Sequence, residues 1–258
     1  MSQTVTQTWQ IATVTSVHDE SSRVKLFTLE LAHITPFRAG QHFDLRLTAP
    51  DGYQAQRSYS VTSSPDEPNS IELAIELISE GEVSSYFHEA VEPGDKIEIR
   101  GPIGGHFTWS PVAAKPVVMI CGGSGIAPIM SMLRHRNSTG SDVPALLLFS
   151  TRTVADILFR DELETMAHHD PKFHLVNALT RIPTIGSVFA KKFEQGQIGR
   201  REMRRIDRSM IDAAFAELGV KPARAYICGG SDFVESMANH LLNAGMANNS
   251  IRTERFGP

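Results

Sequence analysis

Cysteine is the scarcest reactive residue in this sequence, present only at Cys121 and Cys228. Two thiols cannot ligate an iron–sulfur cluster, which takes four ligands, so any such centre must lie on another protein. Each thiol follows an apolar run and sits beside glycines, as buried or site-facing thiols of a reducing compartment do. An excess of basic residues is also lacking. The 25 Lys and Arg against 29 Asp and Glu leave a formal net charge of -4, which excludes a general nucleic-acid binder. No apolar run approaches the length of a membrane span, and Met1-Ser2-Gln3-Thr4 lacks the charged-then-apolar layout of a signal peptide. A cytoplasmic protein without membrane insertion is expected. Internal repeats and low-complexity segments are missing, and a 41% hydrophobic, 21% charged composition is ordinary for a globular chain. Its 258 residues suffice for one large core or two modest ones.

The pattern changes once along the chain. From Trp9 to about Arg100, short alternating runs are separated by turn residues, with no long helix, as in an antiparallel β-barrel or sandwich. Strands are expected over 11–17, 24–30, 42–47, 58–62, 71–77 and 96–100. One short helix interrupts them within 80–90, capped near Ser84 or Ser85. After Trp109-Ser110-Pro111 strands alternate with helices. Strands are expected over 117–120, 145–150, 174–178 and 225–228, and helices over 126–134, 159–166, 211–218 and 233–242. Such alternation implies a parallel sheet covered on both faces. The expected domains are therefore 1–111, a β-barrel, and 112–258, an α/β domain with a parallel sheet.

Cys121-Gly122-Gly123-Ser124-Gly125-Ile126-Ala127-Pro128 joins a buried strand to a helical pattern. Glycines let backbone approach a pyrophosphate, and the first turn of a helix offers unpaired N–H groups and a favourable dipole. The spacing departs from the G-x-G-x-x-G fingerprint, so a merely tight strand-to-helix turn is the alternative at this point. In the first region, Arg57-Ser58-Tyr59-Ser60 supplies a cation, a flat aromatic and two hydroxyls, with Arg57 and Tyr59 on one face of a strand and Ser58 and Ser60 on the other. Gly81-Glu82-Val83-Ser84-Ser85 could present N–H groups to a second phosphate. Gly101-Pro102-Ile103-Gly104 is read as a rigid turn closing the barrel.

Together these stretches, with Tyr226-Ile227-Cys228-Gly229-Gly230 and the terminal Glu254-Arg255-Phe256-Gly257-Pro258, resemble the ferredoxin–NADP reductase superfamily over nearly the whole chain. The resemblance implies a flavin-binding barrel followed by a nicotinamide-nucleotide domain, with no fused ferredoxin domain. It implies that Arg57 binds the FAD diphosphate, that Ser58 and Tyr59 belong to the flavin site with Tyr59 against the isoalloxazine, and that Ser60 reaches the flavin N5 edge. Gly81, Val83, Ser84 and Ser85 would hold phosphates. The nicotinamide pyrophosphate would lie over Gly122, Gly123, Ser124, Gly125, Ile126, Ala127 and Pro128. Cys228, beside Gly229, and Glu254 would surround the point of hydride transfer with Ser60, while Phe256 would cover the flavin. Gly230 stands where the family often has proline. Such a site positions a donor and an acceptor and excludes water, so no general base is expected.

The end of the second expected strand in the α/β region carries Ser150 and Arg152 and no acid, and Arg181 follows the next strand. A carboxylate there suits NAD and an arginine suits the extra phosphate of NADP. NADP is therefore expected, with NAD as the alternative, unless Arg152 merely pairs with Asp156. His168-His169-Asp170 is read as a solvated turn rather than a metal site. The run from Arg200 to Arg208 is either a solvated face or a docking patch for an acidic partner. The implied activity is reduction of a separate one-electron acceptor, a ferredoxin or an oxygenase component. A diaphorase or flavin reductase, or a non-catalytic nucleotide-binding module, is the alternative.

Overall fold

The computed structural model describes residues 8–67, 69–112, 115–181 and 199–256. Gly257 and Pro258 of the terminal motif lie outside them. The chain forms two compact units, Met1–Ser110 with Ala127–Ser138, and Pro111–Ile126 with Thr139–Pro258.

In the first unit, β1 (Gln10–Asp19), β2 (Val24–Leu31), β3 (His42–Thr48), β4 (Gln54–Ser60), β5 (Ser70–Glu76) and β6 (Lys96–Ile103) form one sheet in the order β4-β3-β6-β1-β2-β5. Every pairing is antiparallel, and a bridge between Val61 and Leu73 joins the two ends of the sheet. Period-two alternation sends Phe27, Leu29, Phe43, Leu45, Leu73, Ile75 and Ile99 into one core. Helix α1 (Glu82–Glu89) adds Val83 and Phe87, and the Phe87 ring meets Phe27 edge-on at 5.0 Å. Burying one such aromatic contributes about 2 kcal/mol, enough to hold a helix too short to form alone.

The sequence places β4 too late. It starts at Gln54 because Gln54 and Gln56 are polar residues on a well-paired strand, which hides the alternation. Likewise β6 continues through Gly101-Pro102-Ile103, so these residues extend a strand and the chain turns only at Gly104. The cap of α1 is Gly81, and Ser84 and Ser85 lie inside the helix.

The second unit carries β7 (Val117–Gly122), β8 (Ala145–Thr151), β9 (Phe173–Leu179), β10 (Arg200–Glu202), β11 (Arg224–Gly229) and β12 (Ile251–Arg255). They form an all-parallel sheet in the order β10-β9-β8-β7-β11-β12. Helix α2 (Ile126–Ser138) follows β7 in the chain but belongs from Ala127 onward to the first unit; α3 (Arg160–His169), α4 (Arg208–Leu218) and α5 (Ser231–Asn243) come later in the second unit. Val118, Ile120, Leu146, Leu148, Ala225 and Ile227 bury one face of the sheet against Met210, Ile211 and Ala214 of α4 and Val234, Met237 and Leu241 of α5. Each such aliphatic side chain contributes about 1.5–3 kcal/mol on burial. The fold is thus the expected pair, an antiparallel barrel-like sheet and a parallel α/β sheet.

Two edge strands escape the sequence reading, because short charged edges carry little apolar pattern. β12 is the terminal motif, and β10 lies in the basic run. Four of the arginines in that run are paired with acids of this chain. Arg200 pairs with Glu202 and Glu217, Arg201 with Glu164, Arg204 with Glu202 and Asp207, and Arg208 with Asp212. No helix among the described residues is long and apolar enough to cross a membrane.

The last turn of α2 is tied to the loop after β4. His135 Nδ1 lies 2.9 Å from Asp66 Oδ2, and the hydroxyls of Ser64 and Ser138 donate to the same carboxylate. Burial alone would raise the Asp66 pKa, but hydrogen bonds from Ser138, Ser64 and His135 outweigh it and hold the group at about 2, below its ordinary 3.8. A depressed carboxylate stabilises the fold above its unfolded pKa and loses that contribution as pH falls through the folded value. Urea titrations should therefore show wild type more stable than Asp66→Asn at pH 6, with the gap closing as pH falls from 3.8 toward about 2. A gap independent of pH would mean that the ionised carboxylate contributes nothing.

Candidate active site

In the first unit, β4 and the start of α1 bring the expected flavin residues together. Arg57 is exposed and donates from Nη1 to the Gln56 carbonyl at 2.7 Å. Its charge also acts on Tyr53, whose hydroxyl lies 3.0 and 3.1 Å from the two carboxylate oxygens of Glu82, the first residue of α1. That hydrogen bond to Glu82 is the main cause of a raised Tyr53 pKa. Glu82 sits at the end of the helix dipole that favours negative charge. Ahead of it, a Cβ on Gly81 would fall 2.5 Å from Ser84 Oγ and 3.0 Å from Ile78 Cβ. A side chain at position 81 would displace the Ser84 hydroxyl, and the first bond of the helix runs from Ser85 N to Gly81 O at 2.8 Å. The N–H groups of Glu82, Val83 and Ser84 are left without intrahelical acceptors, as at any helix start.

The serines divide the work differently from the expectation. Ser84 is buried; its Oγ accepts from Ile78 N at 3.2 Å and donates to Gly81 O at 3.1 Å. It shapes the cradle through these bonds, while its backbone N–H stays with the helix start. Ser58 donates to Asp44 Oδ1 at 2.6 Å, on the face of β4 opposite Arg57 and Tyr59. The same buried carboxylate accepts from Gln56 Nε2 at 3.0 Å and Arg100 Nη2 at 2.6 Å, and the Arg46 and Arg100 guanidiniums lie over Trp9 at 4.0 and 4.8 Å. Asp44 therefore fixes β4 from behind. Tyr59 lies against Phe87 at 6.4 Å, and burial pushes its phenol up to about 12 against the opposing charge of Arg57. Ser60, the last residue of β4, is buried.

In the second unit the expected nucleotide residues converge at the C-terminal ends of the parallel strands, where open α/β sheets bind ligands. Gly122 ends β7, Gly123–Gly125 form a 3-10 turn, and Ile126, Ala127 and Pro128 open α2. Pro128 fits a first turn, where a missing N–H costs nothing. A Cβ on Gly125 would stand 2.5 Å from the Cys228 carbonyl oxygen. Cys121, Cys228 and Glu254 are register partners on β7, β11 and β12, so their side chains share the sheet face opposite Ile120 and Ile227. Phe256 is held just beyond, its N–H donating to Gly229 O at 3.0 Å. Burial raises both thiols well above their ordinary value, and for Cys228 the charge of Glu254 and the neighbouring Cys121 add to it. Cys228 is thus a neutral thiol, suited to lining a dry contact surface and not to acting as a thiolate.

Ser150 pairs in register with Gly122 at the end of β8. Arg181 N donates to Arg152 O at 2.8 Å, setting the two arginines side by side, both exposed. Asp156 does not hold Arg152, since its carboxylate accepts from the N–H and hydroxyl of Thr153 at 2.8 and 2.7 Å. Sequence reasoning missed Tyr53, Glu82 and Asp44. Asp44 could have been found as an acid in register with Ser58 inside an apolar strand, whereas Tyr53 and Glu82 carry no local signal. His169 Nδ1 lies 2.9 Å from Thr165 O in the last turn of α3.

Residues 11–109 match the family model described as an oxidoreductase FAD-binding domain, and residues 119–239 match that of an oxidoreductase NAD-binding domain. The chain belongs to the ferredoxin–NADP reductase superfamily. Similar curated proteins include the glycine betaine monooxygenase reductase subunit of Pseudomonas aeruginosa, 29% identical over 222 residues, covering 86% of this chain and 57% of that protein. The phenol hydroxylase P5 protein of Acinetobacter pittii is 27% identical over 245 residues, covering 95% and 65%. The crystal structure of Amycolatopsis cytochrome P450 reductase GcoB matches with a TM-score of 0.78 at 25% identity, covering 98% of this chain and 72% of that one. The chain thus spans 57 to 65% of the length of these two curated relatives.

The residues present fit the two nucleotides of this superfamily. The cradle at Gly81 and the cation of Arg57 suit a diphosphate on the first unit, and the Gly125 turn suits one on the second. Arg57→Ala should lower FAD retention on gel filtration by about tenfold, the loss of one charge-assisted contact; full occupancy would remove its phosphate role. Gly125→Ala should keep bound FAD but weaken nicotinamide-nucleotide binding by at least about tenfold, because the turn must move off Cys228 O. Unchanged affinity for both NADH and NADPH in titrations would show that the close approach is dispensable.

Proposed function

We propose that this protein is a flavoprotein reductase that takes a hydride from NADPH and passes electrons singly to a separate acceptor, an iron–sulfur protein or an oxygenase component. The observation that carries this reading is the pair of anion cradles on the two units, one headed by Arg57 and Gly81 and one by Gly122 to Pro128, each ending at residues suited to a flat ring. Bound FAD would supply the exchange between two-electron and one-electron transfer. Arg57 and the first turn of α1 would hold its diphosphate, Tyr59 would support its ring, and Ser60 would offer a hydroxyl at the ring edge. Cys228 and Glu254 would line the nicotinamide, with Phe256 as the removable cover.

The choice of NADPH rests on Arg152 and Arg181, which stand side by side without a carboxylate partner among the described residues. The acceptor is supported by similar proteins named as a glycine betaine monooxygenase reductase subunit and a propane 2-monooxygenase reductase component. The basic run does not serve as the docking argument, because four of its arginines are engaged by acids of this chain.

Arg152→Ala should raise KM for NADPH by roughly 10- to 100-fold, the loss of a charged hydrogen bond of about 1.5–3 kcal/mol, and change KM for NADH by less than about twofold. Equal effects on the two nucleotides, in steady-state assays with a dye acceptor, would assign the site to NADH.

A further inference from the structure

The chain leaving β4 after Ser60 enters a segment whose carbonyls are gripped by one face of α2. Arg134 Nη1 donates to Thr62 O at 3.1 Å and to Glu72 Oε1 at 2.7 Å. One turn earlier, Ser131 Oγ donates to Ser63 O at 2.7 Å. Residues three apart share a helix face, so the two donors act together on two consecutive carbonyls. The segment is tied to β5 as well. Thr62 N donates to Glu72 O at 2.8 Å, Thr62 Oγ1 donates to Glu72 Oε1 at 2.6 Å, and Glu72 N donates to Ser63 Oγ at 3.0 Å. Thr62 and Ser131 are completely buried, and the Arg134 and Glu72 side chains are about four-fifths buried. Water therefore competes poorly for these bonds. The sheet fixes Ser60 through its pairing with His42 and bridges Val61 to Leu73; the side-chain bonds of Arg134, Ser131 and Glu72 fix the chain immediately beyond, at Thr62 and Ser63.

We infer that Arg134, with Ser131, is a positioning residue for flavin reduction: by holding Thr62 O, Ser63 O and Glu72 it anchors the chain immediately beyond β4 and so steadies the Ser60 hydroxyl. Arg134 touches no reacting atom. Its effect is on alignment, and alignment governs the rate of hydride transfer more than nucleotide affinity. The inference rests on the proposed flavin role of Ser60, but the geometry it assigns exists without any cofactor.

Removing Arg134 alone would strand the Glu72 carboxylate, so the decisive variant is Arg134→Met with Glu72→Gln, which keeps an acceptor for Thr62 Oγ1. Ser131→Ala and Arg134→Lys accompany it. Amide hydrogen exchange followed by mass spectrometry on FAD-free protein should show residues 60–64 exchanging at least about tenfold faster in the double variant, with β1 and β2 unchanged. In FAD-loaded protein, flavin reduction at saturating NADPH should slow by on the order of 10- to 100-fold while KM stays within about twofold. Ser131→Ala should act in the same direction more weakly, and Arg134→Lys should recover most of the rate. Unchanged exchange at 60–64, an unchanged reduction rate, or acceleration of exchange spread evenly over the barrel would overturn the inference. If wild type takes up no FAD, the proposed function falls, yet the exchange experiment still decides whether Arg134 orders this segment.

Discussion

The carbonyl oxygen of Cys228 leaves no room for a side chain at position 125, where a Cβ would come within 2.5 Å of it. That close approach depends on two adjacent parallel strands ending level, with Cys121 and Cys228 in register, so that the turn after one strand lies over the end of the other. From it follow the exposed backbone of the glycine turn, the start of α2, and the dry face shared by Cys121, Cys228 and Glu254. Burial makes the thiols neutral and inert. The chemistry of this end of the sheet is therefore contact and exclusion of water, in keeping with a reaction whose catalysis is largely alignment.

The first unit solves the same problem with different parts. Its proposed anion cradle is a glycine-headed helix start, and the cation assigned to it, Arg57, stands on a strand fixed from behind by Asp44. The buried carboxylate holds Ser58, Gln56 and Arg100 at once. Removing it would take away the shared acceptor of Gln56, Ser58 and Arg100 and with it the tie between β3, β4 and β6. Beyond Ser60 the strand is held by α2. Both the approach to and the exit from the flavin residues are thus governed by polar bonds, while the apolar core sets the barrel itself.

The two architectures were legible because burial writes a period: alternation in the barrel, and unbroken apolar strands followed by helical spacing in the α/β unit. The glycine turn was legible as a tight strand-to-helix connection because a close backbone approach, here of Gly125 to the Cys228 carbonyl, needs glycine. What escaped the sequence has no period. β10 and β12 are short charged edges, Asp44 works through bonds to two neighbouring strands, β4 and β6, and Tyr53 meets Glu82 across 29 positions. Ser84 and Ser58 were expected in the phosphate and flavin sites from the family resemblance, and the bonds of their side chains, which close a turn and satisfy a carboxylate, carry no sequence pattern of their own. The basic run looked like a patch because a sequence shows charges in order and not the acids folded against them.

The proposed function requires that a nicotinamide nucleotide reduce FAD bound to the same chain. Anaerobic mixing of the FAD-reconstituted protein with one equivalent of NADPH, while the visible flavin band is followed, tests this. Stoichiometric bleaching of that band is expected, slowed at least about tenfold in Gly125→Ala at subsaturating nucleotide. A protein that binds FAD yet keeps its full flavin absorbance in the presence of excess NADPH and of excess NADH would contradict it.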